Sequence, residues 1–184
     1  MGINITAIFP ISQFGKRFDK IIDKIENQEY PSIQAYYQTT LEEGFPDLGN
    51  HKPQWYLNDE KVTQRPQLPN LHAELSLPEG LVIRFRDNGF EIWSVIRAFI
   101  AIKHHPKVAQ KLVAIYKEIG RDVQINECLV MGDWNPIYLS FRKGNPYKLI
   151  ALKDPRKNSL EDIYIEDTDS YDIIGHYLVK ISEI

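Results

Sequence analysis

Between Leu71 and Leu77 apolar and polar residues alternate without a break. Leu71, Ala73, Leu75 and Leu77 fall on one side of an extended chain, and His72, Glu74 and Ser76 on the other. A period of two marks a strand with one buried face. The pattern returns in LVIRFRD, with Leu81, Ile83 and Phe85 inward and Arg84 and Arg86 outward. Pro78-Glu79-Gly80 and Asp87-Asn88-Gly89 supply the turns, the second a strong hairpin signal because Asn and Gly tolerate positive φ. FEIW then runs back, so residues 71–93 read as a three-stranded meander.

Elsewhere the period changes. Phe14, Phe18, Ile21, Ile22 and Ile25 recur at spacings of three and four, which predicts an amphipathic helix over Ser12–Gln28. Pro31 opens a second helix, with Ile33, Tyr36, Tyr37 and Leu41 on its apolar face and Gly44 at its end. Ile3, Ile5 and Ile8 form or approach a first strand. From Pro106, the positions Val108, Leu112, Val113, Tyr116 and Ile119 mark a helix that stops at Gly120.

Three stretches are less regular. Residues 45–70 hold four prolines and few aliphatics, and read as a long loop that Trp55 and Tyr56 pin to the body or present to a partner. Residues 94–105, SVIRAFIAIKHH, suit a helix capped by Ser94, although their β-branched residues also suit a strand. The last third reads as strands in DVQINECLVM, PIYLSF, YKLIALKD and EDIYIED, then a closing helix SYDIIGHYLVKISEI. Together these elements predict an α+β fold: one domain over residues 1–184, with a helical segment at 1–44, a Pro-rich loop at 45–70 and a body of sheet and helices at 71–184. The sheet is expected to be largely antiparallel, with helices packed on it.

Composition narrows the function classes. With 184 residues, 43% hydrophobic and 26% charged, the chain can bury a sizeable core. Its net charge of −3 lacks the basic footprint of a dedicated nucleic-acid binder. Cys128 is the single cysteine, so no internal disulfide and no Cys-based zinc site can form. No apolar run reaches the ~20 residues of a membrane span, and the first residues do not read as a signal peptide. A soluble, cytoplasmic protein is the expectation. Met1-Gly2 to Thr6 matches a myristoylation pattern and Asn4-Ile5-Thr6 a glycosylation sequon, both short enough to match by chance.

The candidate chemistry is sparse. There is no phosphate-binding glycine loop, no H-E-x-x-H and no G-x-S-x-G, so no cofactor or metal is expected. Asp167-Thr168-Asp169-Ser170-Tyr171-Asp172 lacks the Gly and closing Glu of a calcium loop and reads better as helix capping. His104-His105 could supply a general base, with Arg84 and Arg86 holding an anion, in a small hydrolase or nuclease. The bases Arg142, Lys143, Lys148, Lys153, Arg156 and Lys157 precede an acidic block of Glu161, Asp162, Glu166, Asp167, Asp169 and Asp172. Such an acidic edge can steer a basic partner. In Gly132-Asp133-Trp134-Asn135-Pro136 four residues make a corner, but Trp134 is left over, either folded on the sheet or held out as an anchor.

The segments CLVMGDWNPIYLSF, YKLIALKD and DSYDIIGHYLVKI resemble the closing third of SUKH-superfamily domains. Those domains end in a strand, a Gly/Asp turn, a paired strand and a helix, and many members resemble immunity proteins that neutralise toxin domains. The resemblance spans about 55 residues, a short pattern; roughly the first 100 do not follow the family. It implies a binder. With the acidic block and no catalytic signature, the expected function is a non-catalytic protein-binding module, immunity- or antitoxin-like. Its contact residues would be Trp134, Asp133, Asp162, Glu166, Asp167, Asp169 and Trp55. Its partner would be a protein with a basic patch; nucleic acid and membrane are not expected.

Overall fold

The computed structural model describes residues 4–11, 14–47, 52–97, 104–132, 136–143 and 176–181. Its centre is an eight-stranded antiparallel sheet in the order β3-β2-β4-β5-β6-β1-β7-β8. The elements are β1 (Asn4–Pro10), α1 (Lys16–Glu26), α2 (Pro31–Glu42), β2 (Gln54–Leu57), β3 (Glu60–Val62), β4 (Ala73–Ser76), β5 (Leu81–Arg86), β6 (Gly89–Arg97), α3 (Pro106–Val123), β7 (Glu127–Gly132), α4 (Pro136–Arg142) and β8 (His176–Lys180). The mixed α+β expectation holds, and so does the meander, as β4, β5 and β6.

Strand periodicity splits the sheet into two faces. On the first, Phe85, Phe90 and Phe9 lie side by side across β5, β6 and β1. Phe9 and Phe90 stack at 4.6 Å. The apolar stripes of α1, α2 and α3 close over this face. Phe18 of α1 meets Phe85 and Phe90, Tyr36 of α2 reaches Ser94, and Tyr116 of α3 meets Phe9. Polar bonds tie the helices together. Asp122 accepts from Lys24 and Tyr30, both at 2.8 Å, and Glu118 accepts the Ser32 backbone N–H at the start of α2. That N–H belongs to a first turn with no partner inside its own helix.

Several expectations are corrected. The N-terminal strand is no preliminary to the helices: β1 lies inside the sheet, paired with both β6 and β7. The Pro-rich stretch contains the β2–β3 hairpin, in which Asn58 and Asp59 turn the chain with φ of 51° and 64°. Asn and Asp are the non-glycine residues most at ease there. Leu71 sits outside the strand, 48% exposed, because β4 starts only at Ala73. Ser94 caps no helix; β6 continues to Arg97, and the Ser94 hydroxyl lies 3.2 Å from Tyr36 Oη. Its β-branched neighbours favour extension.

The helix at Pro106 does not stop at Gly120 but runs to Val123, with Gln124 in the left-handed conformation after it. Gly120 is a packing glycine: a Cβ there would come within 2.2 Å of Ile181 Cδ1. Consequently residues 122 and 123 are helical and β7 begins at Glu127. PIYLSF is α4, where Pro136 provides a first turn and Tyr138 and Phe141, three apart, bury on one side. Within the expected closing helix, His176–Lys180 is instead β8, paired with β7 and burying Val179. The strand–turn–strand–helix ending implied by the SUKH resemblance is thus replaced, where described, by strand, helix and strand. YKLIALKD, EDIYIED and residues 98–103 lie outside the described residues.

Candidate functional site

The second face of the sheet is divided. Over β1 and β7, the α4 side chains Tyr138 and Phe141 close on Ile8, Leu129 and Met131. Over β4, β5 and β6 the face is polar, because the outward positions of those strands carry charge. Pairing sets Glu74 opposite Arg84 and Arg84 opposite Glu91, and the same row continues to Ile8 and Leu129. Arg84 Nε donates to Glu74 at 2.6 Å, and its guanidinium lies over the Trp93 ring at 4.9 Å. Such a cation–π contact adds about 0.5–1 kcal/mol at an exposed site.

Glu91 is the hinge between the two halves. Its side chain is fully buried. Oε1 accepts from Arg86 Nη2 at 3.0 Å and from Tyr138 Oη at 3.2 Å. Arg86, 11% exposed, also donates through Nη1 to the Leu71 carbonyl at 3.4 Å. One guanidinium thus joins β5, β6 and the β3–β4 loop, and one carboxylate joins β6 to α4. Burial pushes the Glu91 carboxyl above the usual glutamate range, and the Arg86 and Arg84 charges offset only part of that. Burial and the nearby carboxylate push the Tyr138 phenol up to about 12, so it stays a donor. Glu91 Oε2 and Arg86 Nε have no hydrogen-bond partner among the described residues. Fully buried, Glu91 cannot touch a substrate; its chemistry is to hold a cation and a helix.

The accessible part of this side is apolar and aromatic. Trp93 and Val82 are half-buried on the open half of the face. Three large apolar side chains are exposed among the described residues: Leu71 at 48%, Leu139 at 41% and Val95 at 37%. Val95 follows Trp93 by two on β6, Leu139 lies on α4, and Leu71 flanks Arg86.

Of the residues singled out from sequence, Trp55 is on β2, facing the first side. It is buried, stacks on Phe85 at 5.6 Å and donates from Nε1 to Glu26. Arg65 pairs with Asp23 and the same Glu26, so this corner is bolted to α1. Trp134, Asp133, Asp162, Glu166, Asp167 and Asp169 lie outside the described residues. Arg84 and Arg86 are on the second face. His104 and His105 stand at the start of α3, on the helix side, with His105 Nδ1 2.9 Å from Glu43 Oε2 and its ring against Phe45. The two pairs do not share a cleft, as a hydrolytic or nucleolytic site built on them would require. No group of three or more metal-ligating side chains comes together among the described residues. Nor does any described helix have the length and apolarity to cross a membrane.

Glu91, Trp93 and Tyr138 were not singled out, yet two were within reach. Once the hairpin turns at Asp87-Asn88, inward Phe90 and Ile92 force Glu91 and Trp93 to the side of Arg84 and Arg86. A tryptophan on the polar side of an alternating strand is the signal. Tyr138 gave none, because its segment read as a strand.

The chain matches no protein-family model, and comparisons with curated proteins and with solved structures give no significant match.

Proposed function

We propose that this chain is a protein-binding module whose contact surface is the open half of the second sheet face. One observation carries the reading: Trp93 is half-buried on that face with the Arg84 guanidinium over its ring, and exposed Val95 follows it by two on the same strand. Trp and Arg are the residues that most often anchor protein interfaces, and here Arg84 already orders the Trp93 ring.

In its finer form the reading is that of an immunity-like neutraliser. Asp162, Glu166, Asp167 and Asp169 steer a basic partner, and the sheet face holds it. Steering by charge acts on the association rate and weakens with salt, whereas a buried anchor acts on dissociation.

The test is recovery of partners from source lysate, with and without nuclease and at two salt concentrations. The expected result is a stoichiometric protein that survives nuclease treatment. Trp93→Ala should then weaken it at least about tenfold, the scale of a modest hot spot. Replacing the four acids by Ser should flatten the salt dependence. Recovery of nucleic acid alone, or a partner indifferent to Trp93→Ala and to the acid replacements, overturns the reading.

A further inference from the structure

We propose that Glu91 is a proton-operated latch: as a carboxylate it holds Arg86 inward against the β3–β4 loop, and as an acid it lets Arg86 and that loop go while the sheet stays folded. This does not depend on the partner proposed above. It rests on the groups that meet at Glu91. From β5 come Arg84 and Arg86, and from α4 come Tyr138 and, over the Tyr138 ring at 5.7 Å, Arg142. From β4 comes Glu74, but it serves Arg84. From β1 and β7 the neighbours in register are Ile8, Thr6, Leu129 and Met131, none of which ionises.

Arg86 therefore has one counter-charge within bonding distance among the described residues, and it is Glu91. With Glu91 ionised, this cluster of three arginines and two glutamates carries one net positive charge. With Glu91 protonated it carries two, and Arg84 and Arg86 sit two residues apart on the same side of β5. A guanidinium that deeply buried, without an anion, is strongly disfavoured. Arg86 is 11% exposed and tied to a loop carbonyl, so it has a route to water that Glu91, at zero exposure, does not. The proton goes to an oxygen already inside: Oε2 has no donor among the described residues, while Oε1 keeps the Tyr138 bond. Release is thus directed to the loop around Leu71 rather than to α4.

The folded state favours the neutral acid, since burial raises the Glu91 pKa. Protonation therefore occurs in the folded molecule, at a pH above that needed by a solvated glutamate. The experiment follows the carboxyl carbon of Glu91 and the guanidinium signals of Arg86 by NMR as pH is lowered, with amide exchange read at His72, Ala73, Ile92 and Ala7. As Glu91 titrates, the Arg86 signals should shift with the same midpoint. Exchange at His72 and Ala73 should rise about tenfold beyond the intrinsic pH effect. Ile92 and Ala7 should stay protected. Glu91→Gln should show the loosened loop already at neutral pH, with no further change on acidification. A Glu91 titration that leaves Arg86 and the loop unmoved overturns the proposal, as does a tightly held loop in a folded Glu91→Gln. If that variant does not fold, the wild-type titration decides alone.

Discussion

Glu91 and Asp122 lie on opposite sides of one sheet, and their protons respond in opposite ways. Asp122 sits at the partly exposed seam of α1, α2 and α3. Desolvation there raises its pKa, but hydrogen bonds from Lys24 and Tyr30 outweigh it and hold the carboxyl below the usual aspartate range. Glu91 has an arginine and a tyrosine as well, yet burial wins and its pKa rises. Partners of similar strength thus give opposite outcomes when one site keeps water and the other loses it. The helix side of the molecule is stapled by exposed bonds over a large apolar core. The other side keeps its charge inside.

The largest effects should come from removing what burial has made indispensable. Arg86→Ala leaves Glu91 without its cation and is expected to cost about 3–5 kcal/mol in urea unfolding. Trp55→Ala, on the helix side, should cost about 3–5 kcal/mol as well, through lost packing on Phe85. If Arg86→Ala costs no more than an exposed pair, the contrast between the sides collapses. Next comes Gly120→Ala. Crowding Ile181 costs about 1–3 kcal/mol, and better helix propensity returns up to about 1. Thermal melting should therefore show a net loss, which Ile181→Val would partly relieve.

The pH profile sharpens the contrast further. Asp122 has a lowered pKa, so its contribution is present above the unfolded value and is lost as pH falls through the folded one. Glu91 has a raised pKa, so its contribution is fully present below the unfolded value and is lost as pH rises through the folded one. In stability curves over the acidic range, Asp122→Asn should remove part of the acid loss, and Glu91→Gln should remove a slope of the other sign. Slopes of the same sign would contradict the assignment. The smallest effect is Trp93→Ala: half-buried, it should change stability by no more than about 1 kcal/mol. Its cost should fall on partner affinity.

Much of the architecture was legible because strand and helix periods differ. The meander, the first two helices and the start of α3 follow directly from their spacings. Part of what was misread carries both periods. Tyr177 and Ile181 fit a helical stripe, yet Val179 and Ile181 also alternate, and only pairing with β7 decides between them. Gly120 looked like a stop because the sequence does not show Ile181 arriving against it. At the site, the alternation marks Arg84 and Arg86 as outward, but the fold puts His104 and His105 beyond the sheet. The β5–β6 register brings Glu91 to Arg84 instead. The acid of a buried pair cannot be told from a solvated one by residue type alone.

The central place of β1 has a consequence for how the chain is made. Thr6 pairs with Trp93 on one side and Met131 on the other. β1 is synthesised before the other described strands and must wait for β6 and then β7. At bacterial or eukaryotic synthesis speeds that wait is on the order of ten seconds. Through it an apolar strand, Ile5 to Phe9, has both edges open. In that interval Ile5 to Phe9 need shielding, by a transient helical layer from α1 and α2 or by a chaperone.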